Sequence, residues 1–347
     1  MTERRIYLDV GVGETRGVVT LDGRPERLLI SRDTDVACQA LGAEVVGRVR
    51  KVERQLALAF VDLGEGPDGV LNLRPDMDRL VEGQAVSVEV RSEARAGKGA
   101  SLRLVGEAEG PPRLLTPAPS IEDELAGLAS RAQVVTGGVA RAMADGAEGE
   151  ALETVFALPG GGTVAIEATR ALIAVDVDLG ERGGSDAKRA TRAANFAALA
   201  TAARVLRLKG EGGLVVIDLA GRGHDGPALI SGARLAFGPD NPGVAFGPIS
   251  RFGTLELTVP RRRRSVADRL LDAAGQPTAQ TLALRLIRQI EREAAADPGA
   301  RIEARVAPDV AAAADPYLKV LTDRFGARLS LVADPARPRG DPEVRSL

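Results

Sequence analysis

Two short apolar runs, each ending in aspartate and separated by one long amphipathic stretch, most constrain what this chain can fold into. Ala171–Asp178 reads Ala-Leu-Ile-Ala-Val-Asp-Val-Asp, and Leu214–Asp218 reads Leu-Val-Val-Ile-Asp. Nearly continuous apolar bodies of this length predict strands buried on both faces. Between them, Lys188–Leu208 puts Phe196, Leu199, Ala203 and Leu206 on one helical stripe, and Gly210-Glu-Gly-Gly stops it. Strand, helix, strand at this spacing predicts a βαβ unit whose two strands are parallel and adjacent. Asp176 and Asp218 then stand at C-terminal strand ends, where parallel sheets place ligands.

Asp176 and Asp178 lie two apart on one strand, so both carboxylates point to one face. Three carboxylates near one point repel one another unless a cation neutralises them. Oxygen donors suit a hard cation, and Mg²⁺ takes one or two carboxylates while keeping waters for a phosphate substrate. Such an ion activates water and offsets charge on a phosphodiester. The bland alternative is that these aspartates cap turns at strand ends, Asp178 above all.

The rest of the chain reads as several small units. Residues 4–31 alternate as a β-meander, with turns at Gly11-Val-Gly-Glu and Asp22-Gly-Arg-Pro. Glu44–Val52, Leu56–Leu63, Gly69–Leu73, Ala85–Glu89 and Ser101–Val105 are five short strands, which fit an OB-type barrel with or without a ligand. Residues 106–120, rich in Pro and Gly, read as a linker. Residues 121–146 are Ala-rich with helical spacing. Leu152–Leu158 and Thr163–Glu167 are strands about a sharp Pro159-Gly-Gly-Gly162 turn, and 229–237 and 254–259 add further strands. Thr278–Ala296 is a long amphipathic helix. Arg301–Val306, Ala312–Phe325 and Leu329–Val332 suggest a β-α-β tail before a disordered end.

Net charge is −2, so any RNA role rests on local basic surface and not on the total. Lys188, Arg189, Arg192, Arg204, Arg207 and Lys209 give the central helix a basic face. It is either solvated or a phosphate track. Arg251 and the run Arg261–Arg264 could extend that track. The one cysteine, Cys38, excludes an intrachain disulfide and a thiolate zinc site within one chain. The one histidine, His224, sits in a Gly-rich loop and reads as a surface residue. With no apolar leader and no membrane-length run, a cytoplasmic protein with no membrane partner is expected.

Glu167–Asp178, then Arg182-Gly-Gly, Asn195-Phe-Ala-Ala and Leu206–Asp218, resemble in order and spacing the catalytic subdomain of the ribonuclease E/G family. Pro248-Ile-Ser-Arg-Phe-Gly-Thr-Leu-Glu is similar to the family's next block. Gly47-Arg-Val-Arg-Lys-Val, Leu58-Ala-Phe-Val-Asp-Leu-Gly and Gly97-Lys-Gly-Ala-Ser-Leu look like its S1-type RNA-binding domain.

The resemblance implies a mixed α/β, multidomain chain. Residues 1–41 plus 106–165 would form a reduced RNase H-like subdomain. It would be interrupted by an S1-type OB barrel at 42–105. A DNase I-like α/β catalytic subdomain at 166–260, a small C-terminal α/β domain at 261–335 and a disordered tail at 336–347 would follow. It also implies Mg²⁺-dependent endonucleolytic hydrolysis of single-stranded, A/U-rich RNA. Asp176 and Asp218 match the metal-binding aspartates, with Asp178 beside them in the catalytic set. Phe60 and Lys98 match RNA-contacting barrel positions, and Arg182 and Arg251 join the RNA contacts.

Departures are visible too. Asp178 stands where the family has Asn, which donates as well as accepts; ionised Asp only accepts. Residues 106–162 are too few for the family's sensor of 5′-monophosphate ends. No paired cysteines follow the catalytic segment, so a homodimer, if formed, is not zinc-bridged. Val70 replaces a second barrel aromatic. The expected activity is endoribonuclease action in RNA processing or decay. The alternative is a catalytically weak or inactive RNA-binding protein on the same scaffold.

Overall fold

Alternating apolar residues build the first sheet. Its strands are β1 (Arg4–Val10), β2 (Glu14–Leu21) and β3 (Arg24–Arg32), an antiparallel meander as the sequence reads. The computed structural model describes residues 3–75, 79–95, 97–129, 132–180, 187–238 and 243–347.

The chain then makes a barrel from β4 (Glu44–Glu53), β5 (Leu58–Asp62), β6 (Gly69–Asn72), β7 (Ala85–Ser92) and β8 (Ser101–Glu107). Strands pair in the order β5-β6-β8-β7-β4, and a β4–β5 pairing closes the ring. Closure needs Gly47: a side chain there would run into Val61 and the Asp62 carbonyl. Val45, Val49, Val61, Val88 and Val90 fill the interior. The stretch expected as a linker carries a further strand, β9 (Arg113–Thr116), on the outer edge of β4. All four of its residues are exposed, so it has no apolar alternation to betray it.

Next come α1 (Ile121–Leu128), the two-residue β10 (Val134–Val135) beside β1, and α2 (Gly137–Leu152). Ile121 and Leu125 of α1 pack on Ile6, Leu8 and Val19, one face of the first sheet. Ala140, Ala144, Ala147 and Ala151 of α2 pack on Tyr7, Val18, Leu28 and Ile30, the other face. Small residues at helical spacing let α2 approach closely.

The six-stranded sheet follows. Its elements are β11 (Val155–Ala157), β12 (Thr163–Ala168), β13 (Ile173–Asp178), α3 (Ala187–Lys209), β14 (Gly213–Asp218), α4 (Gly226–Phe237), β15 (Ala245–Ile249) and β16 (Thr254–Val259). The strand order is β11-β12-β13-β14-β16-β15, with β13 and β14 parallel and adjacent as expected. This sheet begins at Val155, ahead of the expected boundary at 166. Residues 229–237 are helix, not strand. Asp225 caps α4 by accepting from Ala228 N, and Pro227 sits in its first turn. Leu229, Ala233 and Phe237, four apart, are its buried stripe.

The C-terminal part holds α5 (Val266–Leu270), α6 (Ala279–Ala296), β17 (Ile302–Val306), α7 (Pro308–Phe325), β18 (Leu329–Ala333) and β19 (Glu343–Ser346). The last strand corrects the expected disorder of 336–347: it pairs antiparallel with β17. A buried charge network fastens α6 to the first sheet and α2. Arg16 meets Asp9, Asp145 and Glu148, and Arg288 meets Glu14 and Glu148. Among the described residues, no helix is long and apolar enough to cross a membrane.

Candidate active site on the open face of the six-stranded sheet

Helices α3 and α4 cover only one face of this sheet. Val164, Ile166, Val175, Val177, Val215, Ile217, Leu255 and Leu257 point into that core. Alternation sends Ala174, Asp176, Asp178, Leu214, Val216 and Asp218 to the opposite face, where the aspartates are exposed and Leu214 is 41% exposed. The expectation of strands buried on both faces is therefore corrected. The outward apolar residues are half-buried or exposed, so an apolar run here does not mean two covered faces.

Asp176 and Asp218 are register partners across the parallel β13–β14 pair. Neither carboxylate has a hydrogen bond or ion pair to another described residue. Like charges side by side on one sheet face oppose folding, so the arrangement suits a cation shared between them. The donor set of two carboxylates fits Mg²⁺, which needs no more from the protein. Among the described residues, no group of three or more His, Cys, Asp or Glu is poised for a metal. Asp178 explains part of this, since its Oδ1 accepts from Gly180 N at 2.9 Å and so holds its own turn.

The loop after Asp218 is held by a residue whose role its sequence position does not announce. Asn195 on α3 is buried; its Nδ2 donates to Ala220 O and its Oδ1 accepts from Ala220 N, each at 3.0 Å. Leu219 N donates to Gly253 O, which ties the same loop to the β15–β16 turn. Asn195→Ala leaves a half-buried peptide unit unpaired, at a cost of about 1 kcal/mol. Lower thermal stability and faster amide exchange at Ala220 are expected. Unchanged exchange there would contradict the clamp.

Past the loop that follows Asp218 lies an open cleft of about 810 Å³, lined by Arg222, His224, Ser250, Arg251 and Phe252 but by neither aspartate of the pair. Arg251 is exposed and stacks its guanidinium 4.7 Å from the centre of the Phe252 ring, itself 76% exposed. An exposed aromatic at a turn next to an acidic pair is a functional candidate that aromatic counts alone do not single out. His224 is not a plain surface residue: its Nε2 is buried with no hydrogen-bond partner among the described residues. Arg182 lies outside the described residues. Phe60 is half-buried on the barrel, opposite Val70 in register, and Lys98 is exposed on the β7–β8 hairpin. These two sit on a different sheet from the aspartates.

Much of the expected phosphate track has other work. Arg204 donates to Glu150 and Pro25 O, Arg207 to Glu26 and Ala236 O, and Lys209 to Ala151 O and Glu153 O. They join α3 to the first sheet and α2. Nor is Arg261–Arg264 a solvated linker. Arg263 pairs with Glu93 of the barrel and Glu124 of α1, and Arg261 donates to Gly212 O. Lys188, Arg189 and Arg192 remain on the exposed face, with Arg192 near Asp225 at 3.5 Å.

Glu211, between α3 and β14, is half-buried at this junction. Burial pushes its carboxyl up, against a hydrogen bond with Ser265. A raised folded pKa means the folded state holds that proton more tightly, so ionisation costs stability as pH rises. Glu211→Gln should therefore raise the melting temperature at pH 7–8, with the gain fading towards about pH 4. A pH-independent difference in melting temperature would contradict this.

Residues 140–264 match the model of the Ribonuclease E/G family. The chain is 29% identical over 165 residues to Ribonuclease E of Buchnera aphidicola subsp. Acyrthosiphon pisum, covering 44% of this chain and 18% of that protein. It is 32% identical over 148 residues to Ribonuclease E of Escherichia coli, covering 40% of this chain and 14% of that one. A chloroplastic Ribonuclease E/G-like protein of Arabidopsis thaliana is 32% identical over 114 residues, 31% of this chain and 11% of its own length. The alignments thus span less than a fifth of each relative. The segment that carries β13, α3 and β14 is where this chain is similar to the ribonuclease E/G family.

Proposed function

We propose that the chain is a Mg²⁺-dependent endoribonuclease that hydrolyses single-stranded, A/U-rich RNA in RNA processing or decay. The observation that carries this is the Asp176–Asp218 pair: neighbours across two parallel strands, exposed, and without a partner among the described residues. Asp176 and Asp218 would hold the ion. When bound, it supplies Lewis acidity that activates water and offsets phosphodiester charge. Asn195 keeps the loop after Asp218 in place. Arg251 and Arg222 give a strand's phosphates cationic partners at the cleft, and Phe252 offers a flat apolar ring to a base. Phe60 and Lys98 would contact the strand farther along, on the barrel. Asp178, which can only accept, adds charge near the scissile phosphate; it favours a slower enzyme, and this is the observation behind a mainly RNA-binding role.

Purified protein with an end-labelled A/U-rich oligoribonucleotide tests the reading. Internal cuts in Mg²⁺, none in chelator, and products with 5′-phosphate and 3′-hydroxyl ends are expected. Binding without cuts would favour the RNA-binding role and end the enzyme proposal.

A further inference from the structure

A second cavity, of about 640 Å³, opens where β3, α1, the end of α3 and the Arg261–Arg264 run meet. Neither Asp176 nor Asp218 lines it. Its volume suits a ligand of nucleotide size. Leu29, Leu41, Leu128 and Val259 give it an apolar wall.

Its charged lining is mostly positive: Arg4, Arg27, Arg262, Arg263, Arg264 and Arg269 stand against the carboxylates Glu124 and Glu211. Some of these cations are satisfied within the protein. Arg269 pairs with Asp35 and Glu93, and Arg263 with Glu93 and Glu124. Three consecutive arginines nevertheless keep donors to spare. The exposed Arg262 guanidinium has no hydrogen bond or ion pair to another described residue. The Arg264 guanidinium meets only the Asp268 carbonyl among the described residues. Arg263 Nε is buried with no hydrogen-bond partner there. Burial pushes the Glu124 and Glu211 carboxyls up.

Guanidinium donors converging on a concave, partly apolar site match the oxygens of phosphate groups. We propose that this cavity binds the phosphate groups of a nucleotide-class ligand, with Arg262 and Arg264 as its principal contacts. The site is separate from the acidic pair and does not depend on RNA cleavage. The same phosphate chemistry is offered by a free nucleotide and by an RNA strand.

The test is calorimetric titration of the whole chain with pyrophosphate and with ATP, in chelator so that no metal bridges phosphate to the acidic pair. Both should bind. The double variant Arg262→Ala/Arg264→Ala, in two exposed side chains, should keep its circular dichroism spectrum and bind at least about tenfold more weakly. Glu211→Gln should bind more tightly. Competition then identifies the source. Displacement of pyrophosphate by ATP but not by a hydroxyl-ended oligoribonucleotide assigns a free nucleotide; displacement by the oligoribonucleotide assigns the RNA backbone. No binding of either probe, or equal binding by the double variant, would overturn the proposal.

Discussion

Arg16→Met is expected to destabilise the chain by about 3 kcal/mol, because it leaves buried carboxylates short of a partner. The Arg16 side chain is 1% exposed and donates to Asp9 at 2.6 Å and Glu148 at 3.2 Å. The remaining cations do not fill its place. Asp9 keeps Arg141 at 3.2 Å, and Glu148 keeps Arg285 at 2.7 Å and Arg288 at 3.4 Å, but none of these joins Asp9 to Glu148 as the Arg16 fork does. Arg16→Lys should recover only part of the loss, since one ammonium cannot reproduce the fork of donors. The network joins the first sheet, α2 and α6, so the loss should appear in proteolysis of the C-terminal part as well as in thermal melting. A melting temperature equal to the unsubstituted protein's would show that the network contributes no net stability.

Asp218→Asn is the second large effect, and it should separate activity from stability. Removing one of two carboxylates that would hold the ion is expected to cost about 3 kcal/mol of transition-state stabilisation, roughly a hundredfold in rate. The fold should not suffer. Asp218 is exposed, its carboxylate makes no hydrogen bond to another described residue, and it faces Asp176 across the ladder. Relief of that like-charge contact should leave the metal-free melting temperature equal or slightly higher. Asp176→Asn should behave the same way. Asp178→Asn should differ, because its side chain caps the turn at Gly180 and an amide oxygen can still accept there. It removes one negative charge near the phosphate and should not slow cleavage.

Periodicity and turn residues make much of this fold legible. Barrel strands such as Gly69–Asn72 and Ala85–Ser92 follow from apolar alternation between Gly and Asp turns. The β13–α3–β14 crossover follows from two apolar runs separated by a helix-length stripe, and a crossover of that length is enough to set Asp176 beside Asp218. Two edge strands, β9 and β19, are not legible. β9 has only two adjacent leucines and no alternation, and β19 follows three prolines. The run Leu229–Phe237 fits a strand by composition, yet the Asp225 cap and Pro227 mark a helix start.

The basic face of α3 shows a deeper limit. Lysine and arginine spacing gives a face but not its partner. Glu26, Glu150 and the carbonyls of Ala151 and Glu153 come from distant segments that only the fold brings to Arg204, Arg207 and Lys209. Asn195 stands out as part of a sequence block, but its role depends on the Ala220 peptide that folding lays next to it.

The most direct measurement is the single-turnover rate of RNA cleavage as a function of Mg²⁺ concentration, for the unsubstituted chain and for Asp218→Asn. The unsubstituted chain should show a saturable rise with Mg²⁺. Asp218→Asn should need more Mg²⁺ and reach a plateau about a hundredfold lower. Superimposable curves, or a rate that persists in chelator, would contradict the assignment of the Asp176–Asp218 pair as the metal site.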